Sequence, residues 1–369
     1  MHRVLGAFDR SPACRTTCPR AERISRRTVT TATTPDETAV ADDPTAPDEP
    51  RRLSTRRAPS DVIFRGTIRA GGICVLVIML FVGSFLLLRA WPALRTAGLS
   101  FLTTQAWEPD SGNFGIAAVI VGTALIALVA VCTALPLALG TALYISEYAP
   151  RRLRSGLVAL VDLMAAIPSV VFGLWGVFFL QGHITSISQW LATVLHRVPL
   201  FRVDGADPSD PLTSTTVFTS STFIAGIVVG MMITPIMTSI MREVFMQAPI
   251  GEREGALALG STRWGMIRAV VLPYGTGGII GATMLGLGRA LGETIAVYMI
   301  ISPVFVIQWH VLQNGTSSIS ALIALRYGEA TPTGMAALMA AGLFLFLVTL
   351  VVNFAASAVV ARSRSGANS

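Results

Sequence analysis

The sequence predicts an all-α integral membrane protein with six spanning helices, and three observations predict it. Charge is scarce: 13% of the 369 residues are charged and 52% are apolar, against about 25% charged in soluble globular chains. Charge is also unevenly placed, since residues 1–67 hold 21 of the 49 charged side chains. The remaining 302 residues hold 28, too few to cover the surface of a water-soluble domain. Within them lie six apolar stretches, each long enough for the hydrocarbon core, which takes about 20 helical residues. An ordinary cytosolic enzyme is excluded.

In chain order, residues 1–67 are rich in Arg, Thr, Pro and Asp without an apolar run. They read as a disordered cytoplasmic tail. A membrane domain at 68–361 follows, with spans at 68–91, 115–145, 157–181, 222–241, 276–302 and 334–360, and 362–369 form a short cytoplasmic C-terminal tail. Pro136, Pro168 and Pro235 fall inside the second, third and fourth spans, which are expected to kink there. With the first tail inside, the inner segments carry nine Arg (151, 152, 154, 242, 253, 263, 268, 362 and 364) and the outer loops four (95, 197, 202 and 326). That asymmetry favours both termini in the cytoplasm. In the outer loop 182–221, Ile184, Ile187, Leu191, Val194, Leu195 and Val198 recur at helical spacing beside Trp190. The pattern predicts an amphipathic helix lying flat at the outer interface.

Every basic residue is Arg; Lys is absent. A phosphate-binding P-loop needs its lysine, so any ATP hydrolysis must be done by a separate subunit. Cys14, Cys18, Cys74 and Cys132 suggest no disulfide framework, and the scattered His183, His196 and His310 suggest no metal. No cofactor is expected.

Residues 249–273 connect spans four and five on the inner side. A short helix after Pro249 carries Glu252 and Glu254 near its N-terminal dipole, Gly260 can end it, and a second apolar stretch runs into Pro273. The spacing E-x-A-x-x-x-G-x9-[IV]-x-L-P, filled by Glu254, Ala256, Gly260, Val270, Leu272 and Pro273, resembles the EAA loop of binding-protein-dependent ABC importer permeases. Gly255 stands where that pattern has Ala. The resemblance implies a six-span, type I (MetI-like) permease fold whose loop docks into an ATPase subunit.

The stretch Ser146-Glu147-Tyr148-Ala149-Pro150-Arg151, the run from Met164 to Gly176 and the run from Met284 to Thr294 resemble the phosphate importer permeases. Trp107-Glu108-Pro109 and Trp175-Gly176 resemble the PstC-type rather than the PstA-type subunit. The resemblance implies a bacterial plasma-membrane permease that does no covalent chemistry. Its implied partners are a PstA-like subunit sharing the path, an ATPase dimer and an extracytoplasmic phosphate-binding protein; its cargo is inorganic phosphate, and nucleic acid has no part. Another oxyanion, sulfate or molybdate, stays open as cargo, and so does a proton-coupled secondary transporter.

Three ionisable residues fall within the expected spans, where such groups normally face protein or a water-filled path. Asp162 is near the inner end of the third. Arg289, about 20 Å along a helix counted from Thr276, and Glu293, four residues on and on the same face, are the candidate substrate-path residues. Arg289 would attract an oxyanion, and Glu293 would position Arg289 or take a proton. The glycines around them suit close helix packing.

Overall fold

The computed structural model describes residues 59–203 and 215–365. Of the tail expected over residues 1–67, residues 1–58 lie outside the described residues. Six helical runs are long and apolar enough to cross a membrane: Ser60–Leu102, Ala117–Tyr148, Ser169–Val194, Thr222–Met246, Arg263–Gly292 and Pro332–Val360. They are numbered one to six here. The only sheet among the described residues is a two-stranded hairpin, so the all-α expectation stands.

Span one is α1 (Pro59–Ala97) and a trailing 3-10 turn; residues 59–67, expected in the tail, are therefore helical. A hairpin of β1 (Trp107–Glu108) and β2 (Asn113–Phe114) leads to span two, which is α2 (Ala117–Leu143) closed by a wide π turn at Tyr144–Tyr148. Pro136 sits inside α2, and Pro235 inside the helix of span four, without ending either helix.

The third span differs from the expectation of 157–181. Residues Arg151–Ala165 form a separate helix, α3, with no buried residue, and the chain breaks before Pro168. Proline lacks an N–H and pushes the residue before it out of the helical region. The spanning run then starts at Ser169 and passes through α4 (Ser169–Trp175), a π turn and α5 (Gln181–Val194). Ile184, Ile187, Leu191 and Val194, expected in a helix flat at the interface, are thus in the last turns of span three, with Leu195 and Val198 beyond its end, and Asp162 belongs to α3 rather than to a span.

Span four is α6 (Thr222–Met246). After it come α7 (Ile250–Ala258) and span five, built from α8 (Arg263–Met266), a π turn at Ile267–Val271 and α9 (Leu272–Gly292). The π turn precedes Pro273, whose missing N–H cannot serve a regular turn. Span five therefore runs over 263–292 and not 276–302. Its expected last third is instead a break at Glu293–Thr294, the short α10 (Ile295–Ile300), an irregular segment and α11 (Ile319–Arg326). Span six is α12 (Pro332–Ser365), so residues 362–365 are helical too.

Span four is the centre of the bundle. Ile224, Val228, Val229, Ile233, Met237 and Met241 on α6 are fully buried. Its principal partner is α2, which turns Ala130, Ala134, Ala138 and Ala142 inward at a four-residue repeat. Gly226 and Gly230 of α6 answer that stripe: a Cβ on Gly226 would fall 2.5 Å from Val129 Cβ, and one on Gly230 2.9 Å from the Ala130 carbonyl oxygen. Small residues on both sides let the backbones meet. At the hairpin end a second cluster joins Ala90, Phe101, Phe114, Leu322 and Leu338.

Gly230→Val is expected to lower stability by about 1–3 kcal/mol, the usual penalty for overfilling a packed contact. Thermal unfolding of the purified chain in detergent checks it, and an unchanged midpoint would contradict the close approach.

The hairpin is tied to span six through Asp110. The Thr331 and Thr333 hydroxyls donate to Asp110 Oδ1 at 2.6 and 2.7 Å, and they hold its carboxyl below the ordinary value of 3.8. A lowered carboxylate pKa stabilises the fold above the unfolded-state value and loses that effect as pH falls through the folded one. Wild type should therefore melt above Asp110→Asn at neutral pH, and the gap should close as pH drops below 3.8.

Candidate functional site

Two places in the fold hold the residues singled out in the sequence. The first is α7. Pro249 precedes it, Glu252 lies in its first turn, and Glu254 follows two residues on. Glu254 is exposed and Ala256 packs on the main core. Gly260 ends the helix with φ +85°. There the Gly260 N–H donates to the Leu257 carbonyl at 3.0 Å and the Ser261 N–H to the Ala256 carbonyl at 3.2 Å. This double closure needs a left-handed residue at the turn, which glycine supplies without a Cβ penalty. Thr262 then caps the next helix, accepting from the Gly265 N–H at 3.1 Å.

Glu254, Ala256 and Gly260 therefore form one short exposed helix with a sharp end. Val270, Leu272 and Pro273 do not lie on it. They belong to the helix that enters span five, where Leu272 packs on the core and the turn Ile267–Val271 contacts α7. The motif fixes a short exposed helix and its attachment rather than one continuous surface.

Sequence reasoning missed the polar joint beneath α7. Arg253 Nη1 lies 3.2 Å from Glu147 Oε1 and 3.5 Å from Oε2, with the Glu147 side chain 6% exposed and that of Arg253 20%. The Oε1 contact is an ion pair without hydrogen-bond alignment. Arg253 Nη2 donates to the Phe245 carbonyl oxygen, and Arg154 Nη2 donates to the Ser146 carbonyl oxygen at 3.3 Å. The one sequence signal was a carboxylate at the end of an apolar run, just before three arginines.

The second place is the break after span five. Arg289 sits in the last turn of α9, about 39 Å along a helix that begins at Arg263, and not at its middle. It is exposed. Glu293 does not share a helical face with it, because the chain is extended there at φ −67°, ψ 127°. No ion pair joins the two among the described residues. Glu293 is buried, at 9% exposure, and its Oε1 accepts the Ala296 N–H at 3.3 Å, which starts α10.

One hydroxyl binds Glu293 directly, and others tie the segment 316–321 to spans two and four. Ser320 Oγ donates to the Glu293 carbonyl oxygen at 2.6 Å, and Ser318 caps α11 by accepting from the Ala321 N–H at 3.1 Å. Thr123 of span two accepts the Ile319 N–H at 3.0 Å, and Thr222 of span four bonds Thr316 at 3.0 Å. All of these hydroxyl residues are buried. The arrangement holds a broken helix in place, and among the described residues no carboxylate pairs with the exposed Arg289 guanidinium.

Six helices long and apolar enough to cross a membrane, joined after the fourth by a short exposed helix and broken after the fifth, define a multi-pass membrane protein. The family model for binding-protein-dependent transport system inner membrane components matches residues 134–365, and the chain belongs to that family. The phosphate transport system permease protein PstC 2 of Mycobacterium tuberculosis is 40% identical over 310 residues, 82% of this chain and 93% of that one. PstC of Mesorhizobium japonicum is 36% identical over 305 residues, 82% and 90% of the two chains. A MetNI methionine ABC transporter structure aligns at 13% identity and a TM-score of 0.47, over 67% of this chain and 95% of that one, a likeness too loose to bear on function.

Gly260→Val should leave the six spans inserted while opening the end of α7. Forcing a branched side chain into a left-handed turn costs about 1–2 kcal/mol, or roughly 5–30-fold in local opening. Amide exchange at residues 256–261 should rise by that factor, and an unchanged rate would speak against the strained turn.

Proposed function

We infer that this chain is the PstC-type permease subunit of an ATP-driven phosphate importer in a bacterial plasma membrane. The observation that carries the reading is its identity to PstC permeases along nearly their whole length. The loop pattern, read together with the excess of Arg on its side of the membrane, supports a cytoplasmic position for α7 and both termini. A separate ATPase dimer then hydrolyses ATP below, a PstA-like subunit completes the path, and a phosphate-binding protein delivers cargo from outside.

In this reading α7 takes up the movement of the ATPases and passes it to the spans it touches. Gly260 keeps its end sharp, so the helix moves as one body. Arg289 supplies a fixed positive charge that replaces part of the hydration a phosphate loses on entering the path. Glu293 acts one step removed, holding the break that sets where Arg289 points. Hydroxyls at 316–320 and on spans two and four make that break rigid.

Phosphate uptake by the reconstituted complex, with sulfate as competitor, tests the cargo. Within it, Arg289→Gln should lower uptake about tenfold or more, since a lost charge-assisted bond is worth about 1.5–3 kcal/mol. Assembly should survive. Glu293→Gln should do less, because its amide oxygen can still accept the Ala296 N–H. Uptake by Arg289→Gln at the wild-type rate would remove the arginine from the path.

A further inference from the structure

Helix α7 is the part of the chain offered to a partner, and beyond its contacts with α8 and the turn Ile267–Val271 few of its side chains hold it to the bundle. It contributes no buried residue, and Ile250 and Leu259 at its two ends are 71% and 91% exposed. Apart from Ala256 on the core, the side chain that fastens it is Arg253. One guanidinium reaches two other spans: Nη1 meets the Glu147 carboxylate on the π turn that closes span two, and Nη2 meets the Phe245 carbonyl oxygen in the last turns of span four. Phe245 itself is fully buried.

We propose that the Arg253–Glu147 pair is the joint through which α7 moves spans two and four together. The proposal rests on the transport reading above. Both residues are positioning residues, touching neither cargo nor nucleotide. The physical reason lies in the burial of Glu147. A carboxylate withdrawn from water is stable only while its counter-charge stays beside it, so displacing α7 without span two would strand it. The guanidinium fork bonds in two directions at once, which a point charge cannot do equally well. Span two must therefore follow α7, and the Phe245 contact draws span four along with it. Spans two and four already pack as a pair through Ala130, Ala134, Gly226 and Gly230, so they move as a unit. Arg154, bonded to the Ser146 carbonyl from α3, steadies the same π turn from the other side.

The test uses the full complex in proteoliposomes, at matched amounts of assembled protein, with Arg253→Gln, Glu147→Gln, the double variant and Arg253→Lys. Phosphate moved per ATP hydrolysed should fall about tenfold in each Gln variant, a factor within the usual range of coupling energies. The double variant should be no worse than the poorer single one, because both break one contact. Arg253→Lys should fall between wild type and Arg253→Gln. Amide exchange provides a readout independent of cargo: nucleotide should change protection at residues 144–148 in wild type and not in Arg253→Gln. Single variants with the wild-type ratio, losses that multiply in the double variant, or an unchanged nucleotide response at 144–148 in Arg253→Gln would each overturn the joint. A wild-type complex that moves no phosphate but shows the exchange response would refute the phosphate reading and leave the joint standing.

Discussion

Hydrocarbon offers a broken helix no water, so a chain that interrupts its helices inside a membrane must supply the missing hydrogen-bond partners itself. That constraint governs the architecture from Glu293 onward. Span five ends at Gly292, and the backbone turns extended. The Glu293 carboxylate starts the next helix, Ser320 takes the Glu293 carbonyl, and Thr123 takes the N–H of Ile319. Each bond answers a backbone or carboxylate group that the break would otherwise strand, at several kcal/mol per group. The hydroxyls come from spans two and four, from the irregular segment and from the start of α11. The break is therefore as much part of the core as the helices beside it.

The same economy explains the centre of the bundle. Lipid tails are as apolar as leucine, so burial alone does not bring spanning helices together; close packing does. The alanine stripe of α2 meets Gly226 and Gly230 of α6, and the other spans are arranged around that pair. Span one lies furthest out: no residue in its most apolar window is buried within the chain. Its large side chains, Phe81 and Leu88 among them, face lipid or another protein.

The pieces legible in the sequence were the local ones. The number of spans followed from apolar run lengths. The end of α7 followed from Gly260, because a left-handed turn is a property of one residue and its neighbours. Where a span begins was harder to read. Hydropathy joins residues 157–181 into one stretch, since α3 is amphipathic and its apolar face adds to the run; only Pro168 marks the division. It also starts span five too late, because Arg263 and Arg268 depress the window over turns that are nonetheless helical. The polar joint was illegible for another reason. Glu147 and Arg253 are 106 residues apart, and nothing at either position announces the other.

The relation between Arg289 and Glu293 shows how far local spacing can mislead. Four residues apart on a helix, they would neutralise each other, and a neutral pair asks nothing of its surroundings. The break at 293 removes that solution. Glu293 is buried, where the Ala296 N–H occupies its carboxylate, and Arg289 is left exposed in the last turn of α9 with no carboxylate partner among the described residues. A lone guanidinium facing lipid costs about 2.5–3.5 kcal/mol on insertion scales, so this surface is poorly suited to bare hydrocarbon. Asn353 of span six is exposed beside Gly288 of span five, a second polar group on the surface of the bundle. A surface with those two groups is satisfied by water or by another polar wall. The proposed second permease subunit supplies both, since two such walls facing each other enclose a wet path with a fixed positive charge beside it. On that view the helix break does more than end a span: by separating two charges that sequence spacing would pair, it leaves one of them free for an anion.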